Sequence, residues 1–143
     1  MSVSPGGRPR GRRENLLKSP GRSLSLAGRA IKNYALRRPL AISFEVTHAC
    51  NADCRHCHLG GPFEETRATP RDYGEICRRL KPVIAQISGG EPLLRRDLDD
   101  IVQEFRVPGR APYVVITTNA ALLTPERYAG LRAAGVDEFS ISF

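Results

Sequence analysis

Cys50, Cys54 and Cys57 fall within eight residues, in the run Thr47-His48-Ala49-Cys50-Asn51-Ala52-Asp53-Cys54-Arg55-His56-Cys57-His58. Three thiolates on one short loop offer a metal centre three strong ligands and no fourth of the same kind. Structural zinc sites, and iron–sulfur clusters that only carry electrons, are usually closed by four protein ligands. A cubane cluster with one iron left open is one occupant that suits this loop, and an open coordination position invites chemistry. Zinc is the other: all three histidines of the chain lie in the same stretch, and His48 or His58 could complete a Cys3His set.

The elements around the loop must hold it in place. Ala41-Ile42-Ser43-Phe44-Glu45-Val46 reads as a first strand that delivers its end into the cysteine loop. Thr69-Pro70-Arg71-Asp72 reads as a helix start, with Thr69 as N-cap, Pro70 where a missing N–H costs nothing, and Asp72 favourable to the helix dipole. That helix is expected over 71–80, stopped by Pro82. Residues 83–88 make a second strand that ends in Gly89-Gly90-Glu91-Pro92, and Leu98, Ile101, Val102 and Phe105 mark one face of a second helix over 96–106. Pro108-Gly109 closes that unit. A third strand over 113–118 runs into Asn119, Thr124-Pro125-Glu126 starts a third helix that ends near Gly135, and residues 138–143 form a fourth strand.

Short strands alternating with helices imply right-handed βαβ crossovers and a parallel sheet. The expected fold class is therefore α/β, a parallel (β/α) sheet. In such folds function gathers at the carboxyl ends of the strands. Here those ends carry the cysteine loop, Gly-Gly-Glu-Pro and Thr-Asn. Two glycines at a strand end are, by themselves, an ordinary loop.

Taken together, Cys-x3-Cys-x2-Cys after a first strand and Gly-Gly-Glu-Pro about thirty residues later, at the end of a second, resemble the radical S-adenosylmethionine (radical SAM) superfamily over residues 40–143. The resemblance implies a partial TIM-like barrel, of which this chain supplies three βα units and a fourth strand. It implies a [4Fe–4S] cluster on Cys50, Cys54 and Cys57, with S-adenosylmethionine chelating the fourth iron. Reductive cleavage of that cofactor would give a 5′-deoxyadenosyl radical, which abstracts hydrogen from a substrate that the sequence does not name. An electron donor such as a flavodoxin or ferredoxin is implied as well. Because the cofactors carry the chemistry, no residue is assigned as an acid or base.

The same resemblance implies that His56 presents its backbone to the adenine, that Gly89 and Gly90 let the chain approach the methionine end, and that Glu91 also belongs to the cofactor site, with Glu91-Pro92 fixing the next turn. Asn119 and Ser142 are cofactor or substrate contacts on this reading; otherwise Asn119 caps a turn and Ser142 is a polar strand residue. Ala120 departs from the family's Thr-Asn-Gly. The remaining cysteine, Cys77, lies inside the first crossover helix and reads as a small buried apolar residue. Arg95-Arg96 and Asp97, Asp99 and Asp100 read as a solvated helix face.

Charge divides the chain. The net charge of +7 arises because residues 1–38 hold ten Lys or Arg against the single acid Glu14, whereas the remainder is slightly acidic. Residues 1–23, rich in Gly, Pro and Ser, are expected to form a disordered basic tail. Residues 24–39 are expected to form a basic amphipathic helix whose apolar residues Leu24, Leu26, Ala27, Ala30, Ile31, Tyr34 and Ala35 pack on the domain. The twin arginines at 12–13 lack a following apolar stretch, so an export signal is rejected. No run approaches the roughly 18 apolar residues of a membrane helix, and the cysteines are too few for a disulfide scaffold. A cytoplasmic chain is expected, without nucleic acid as a partner, although a basic tail that contacts RNA and a zinc module remain as alternative readings. The sequence stops inside a strand, at Phe143, which reads as a fragment.

Overall fold

The computed structural model describes residues 20–55, 57, 68–107 and 111–142. Residues 1–19 of the expected tail, His56, His58, the Pro108-Gly109 turn and Phe143 lie outside the described residues, whereas residues 20–23, expected to be disordered, are the first turn of a helix. In chain order the elements are α1 (Pro20–Ala35), β1 (Ala41–Glu45), α2 (Pro70–Leu80), β2 (Ile84–Ser88), α3 (Leu98–Glu104), β3 (Tyr113–Thr118), α4 (Pro125–Ala134) and β4 (Glu138–Ile141), with a 3-10 turn at Pro92–Leu94.

Local chemistry sets most of the boundaries. Thr69 accepts a hydrogen bond from the Asp72 amide while the Asp72 carboxylate reaches back to the Thr69 backbone, a capping box that opens α2. The first cause holding the Asp72 carboxyl below its ordinary value is the side-chain hydrogen bond from Thr69. Thr124 opens α4 by accepting the Arg127 amide, with Pro125 in the first turn, and Gly135, at φ +128°, ends it. The stop of α2 is Lys81 rather than Pro82: Lys81 is left-handed (φ 55°, ψ 48°) and its amide closes on the Cys77 carbonyl. The expected second helix, 96–106, is shorter in the structure: α3 spans Leu98–Glu104 and follows a separate 3-10 turn at Pro92–Leu94.

All four strands are parallel and lie in sequence order, β1-β2-β3-β4. Register runs straight across, with Phe44 opposite Ile87, Ile87 opposite Ile116 and Ile116 opposite Phe139. Sequential order with every crossover helix on one side is the geometry of a barrel arc, not of a doubly wound sheet. Period-two alternation divides the two faces. Phe44, Ala85, Ile87, Val114 and Ile116 point to the helices and join Leu98, Ile101, Val102, Phe105 and Leu131 in a single core. The Phe44 ring sits 4.9 Å from that of Phe105 and edge-on to Tyr73 at 6.1 Å. Cys77 is buried among these residues, as expected, and desolvation pushes its thiol up to about 11.

The opposite face is polar and open, with Ser43 bonded to Ser88 (2.9 Å), Gln86 donating to Thr117 (3.0 Å) and Tyr113 to Glu138 (3.0 Å).

The helix α1 corrects an expectation. Most of its apolar residues do not pack on the domain: Leu24, Ile31 and Tyr34 are 75%, 72% and 80% exposed, and only Leu26 and Ala30 are half-buried. Polar side chains make the attachment. Arg22 pairs with Asp137 at 2.7 Å, Arg29 donates to the carbonyls of Pro82 and Ala111, and Asn33, almost fully buried, donates to those of Pro39 and Lys81. These partners precede β1, β2, β3 and β4, so α1 crosses the amino end of the sheet, and its donors satisfy carbonyls that no strand partner reaches.

Candidate metal and cofactor site at the strand ends

The opposite, carboxyl end of the sheet gathers the chemistry. After β1 the chain runs through Val46 and Thr47, both buried, into the cysteine loop. Cys50 is half-buried and accepts the Ala52 N–H on its Sγ at 3.4 Å, while Cys54 and Cys57 are exposed and joined by a turn from the Cys57 amide to the Cys54 carbonyl at 3.0 Å. None of the four cysteines of the chain is in a disulfide. Among the described residues no three Cys, His, Asp or Glu side chains stand close enough to hold an ion, so the loop presents donors on one short stretch and not an assembled cage. As a donor set, three thiols with an amide already directed at one sulfur fit an iron–sulfur group, whose properties depend on such N–H to sulfur bonds. His48, the described candidate for a fourth zinc ligand, lies with its Nε2 3.8 Å from the Glu45 carboxylate.

Gly89 and Gly90 lie directly against this loop. The Gly90 amide donates to the Thr47 carbonyl at 2.7 Å and the Glu91 amide to the Ala49 carbonyl at 2.8 Å, so β2 continues its pairing past its own end and onto the run that leads to Cys50. Side chains would not fit there. A Cβ on Gly89, which has φ +132°, would come within 2.2 Å of the Thr47 oxygen, and one on Gly90 within 2.2 Å of the Ala49 oxygen. The glycines are therefore required by backbone packing against the cysteine loop, whatever else they approach. A Gly90→Val variant cannot leave this loop undisturbed, so it does not isolate a cofactor contact.

Glu91 is fully buried, and its carboxyl accepts three hydrogen bonds: the Leu93 amide (2.9 Å) and Thr118 hydroxyl (2.7 Å) on Oε1, and the Asn119 amide (2.8 Å) on Oε2. It ties the end of β2 to the end of β3. Asn119 then extends its Nδ2 to the Asn51 side chain at 2.8 Å, inside the cysteine loop, while its Oδ1 accepts the Ala121 amide. Ser142 follows β4, is exposed, and donates its amide to the Thr118 carbonyl at 3.0 Å. The ends of all four strands thus meet at one rim.

Arg95 overturns the expectation of a solvated face. It is 3% exposed and ion-paired through two bonds with Asp97 (2.7 and 2.9 Å), which, above all through the hydrogen bond, holds the guanidinium pKa above its ordinary value. Its other donors reach the carbonyls of Val46 (2.7 Å) and Ala68 (2.6 Å), with the Tyr73 ring 5.4 Å away. Sequence gave one faint signal, an acid two residues after an arginine, and that pattern is common on surfaces. Asn51 and Thr118 were missed as well, since their roles exist only across strand ends.

Comparison with known proteins agrees with this geometry. The family model of the Radical SAM superfamily matches residues 44–143. A probable GTP 3',8-cyclase of Methanothermobacter marburgensis is 37% identical over 112 residues, covering 75% of this chain and 36% of the relative. The AdoMet-dependent heme synthase of Methanosarcina barkeri is 38% identical over 110 residues (73% and 31%), and the PqqA peptide cyclase of Rhodopseudomonas palustris 35% over 111 (73% and 29%). The chain spans about a third of the length of these curated relatives. Among solved structures, BtrN in complex with AdoMet and 2-DOIA superposes with a TM-score of 0.62 at 24% identity, covering 72% of this chain and 45% of its own. Streptococcus suis SuiB bound to S-adenosylmethionine gives 0.57 at 22% (79% and 28%) and supports the same fold. With the fold, the order of its motifs and the family match in agreement, the chain belongs to the radical SAM superfamily.

Proposed function

We propose that this chain forms the cluster-bearing part of a radical SAM enzyme, with Cys50, Cys54 and Cys57 holding a [4Fe–4S] cluster and the neighbouring strand ends receiving S-adenosylmethionine. When bound, that pair supplies an electron for reductive cleavage of S-adenosylmethionine and a radical that abstracts hydrogen from substrate. The observation that carries the reading is the seam between the two motifs: Gly90 to Thr47 and Glu91 to Ala49 join the Gly-Gly-Glu run to the residues just before Cys50.

The protein's own part is placement. The loop contributes three thiolates and directs an amide at the Cys50 sulfur. Gly89 and Gly90, half-buried and lacking side chains, keep the rim clear for the amino and carboxylate groups of the cofactor. Glu91, sealed inside, serves by holding Thr118 and Asn119 and so shaping the floor between β2 and β3. Asn119 and Ser142 line the rim, and His56 is the proposed adenine contact by family resemblance alone. Relatives named for GTP, heme and PqqA peptide match at 35–38% identity, so the proposal concerns the radical-generating core and an electron donor of the flavodoxin or ferredoxin kind.

The test is anaerobic reconstitution with iron and sulfide, followed by electron paramagnetic resonance of the reduced protein with and without S-adenosylmethionine. About four irons per chain, with a reduced-cluster signal that shifts on adding the cofactor, is the expected result. Cys54→Ala should abolish both. Full iron and sulfide in that variant, or stoichiometric zinc in place of iron in the native chain, would overturn the reading.

A further inference from the structure

Arg95 lies three residues beyond Pro92 of the Gly-Gly-Glu-Pro run, and its guanidinium makes five hydrogen bonds beside the cysteine loop. Nη1 donates to the Val46 carbonyl at 2.7 Å and Nη2 to the Ala68 carbonyl at 2.6 Å. Val46 is the last residue before the 47–67 segment that carries all three cysteines, and Ala68 is the first after it. One buried guanidinium therefore holds the entrance and the exit of the segment together. It is aimed by Asp97, which takes Nε and Nη2 in a two-point pair, and it is flanked by Tyr73, whose hydroxyl is 3.4 Å from Nη1.

We propose that Arg95 is a positioning residue for the cluster loop: by clipping Val46 to Ala68 it fixes the span across which the three thiolates must close on iron. The inference rests on the reading of Cys50, Cys54 and Cys57 as cluster ligands. Three features support more than a general stabilising role. First, the two carbonyls are 22 residues apart in sequence and bracket the ligands. Secondly, neither belongs to a helix or strand, so each would otherwise need another donor. Thirdly, the planar fork reaches both carbonyls while keeping Asp97, which the single ammonium of lysine cannot do. Closing a loop of this length on a metal carries an entropic cost that a fixed base lowers in advance.

The experiment compares Arg95→Lys with Arg132→Lys. Arg132 makes a similar two-carbonyl clip, to Val136 (2.8 Å) and Asp137 (2.5 Å), at the amino end of the sheet. Two readouts are taken on the full chain: hydrogen exchange of residues 47–57 in the cluster-free protein, and the rate of iron loss from the reconstituted protein to a chelator. Arg95→Lys is expected to speed both by tenfold or more with unchanged exchange in β2 and β3, and Arg132→Lys to leave both within twofold. Equal effects of the two variants, or exchange in 47–57 unaltered by Arg95→Lys, would overturn the proposal. Should Arg95→Lys not fold, Asp97→Asn decides: it leaves the guanidinium but weakens its aim, and faster exchange confined to 47–57 is required. If the native chain takes up no iron, the cluster reading fails, while the exchange comparison still decides whether Arg95 fixes the loop.

Discussion

At the scale of single residues, the departures from family pattern acquire physical reasons. Ala120, which departs from the Thr-Asn-Gly that the family resemblance implies, sits at φ +62°. An L-residue pays about 1–2 kcal/mol in that region, of which the greater freedom of unfolded glycine offsets a part. Ala120→Gly is therefore expected to stabilise the chain by about 1 kcal/mol, read as a rise in the urea midpoint at unchanged slope. A lower midpoint would show that the methyl group makes compensating contacts. Glu91 illustrates the reverse situation. Its place in a Gly-Gly-Glu-Pro run suggested a cofactor contact, but a carboxyl with three internal donors has its acceptor positions turned inward. Sequence names the residue that matters without saying which way it points.

Elements were read well where their signals are local. Thr69-Pro70-Asp72 and Thr124-Pro125 specify helix starts through hydrogen bonds that span three residues, so α2 and α4 begin where those residues predict. The start of α3 was misplaced because Arg95 and Asp97 are engaged with each other, and Asp97 makes no side-chain cap. Within α2, Cys77 gives a pH prediction. Burial raises its thiol from 9.0 to about 11. A raised folded-state value means that the stability held by the neutral thiol is fully present below about pH 9 and is lost as pH rises to about 11. The loss should be about 2 kcal/mol. Chemical denaturation of the native chain and Cys77→Ala at pH 8 and pH 11 checks it: the native chain should lose stability relative to the variant over that interval, and parallel curves would show that the thiol ionises equally in the folded and unfolded chain.

For the whole molecule, the decisive arrangement is polar at one end and chemical at the other. The charge concentrated in residues 1–38 reads as a solvated feature, but part of it is structural: Arg22 and Arg29 join α1 to the amino end of the sheet, and Asn33 completes the attachment. Substituting Asn33→Ala strands the Pro39 and Lys81 carbonyls and should cost about 1–2 kcal/mol, with faster trypsin cleavage after Lys32 and Arg37. Ile31→Ser on the outward stripe should cost less than about 0.5 kcal/mol. The opposite ranking would mean that the apolar stripe is what docks. Among the described residues no helix is long and apolar enough to cross a membrane.

The sequence by itself determined the class of the sheet, the caps of its helices and the identity of the three thiols, because each depends on periodicity or on spacings of a few residues. The family match covers residues 44–143. Only the tertiary structure decided which face of α1 docks, why two glycines must follow β2, and that Arg95 is buried. Those outcomes depend on which carbonyls are left unpaired once four strands stand side by side: Thr47, Ala49, Val46 and Ala68 at one end, Pro82 and Ala111 at the other. Backbone acceptors are alike in every residue, so no pattern of side chains announces in advance where a donor will be needed.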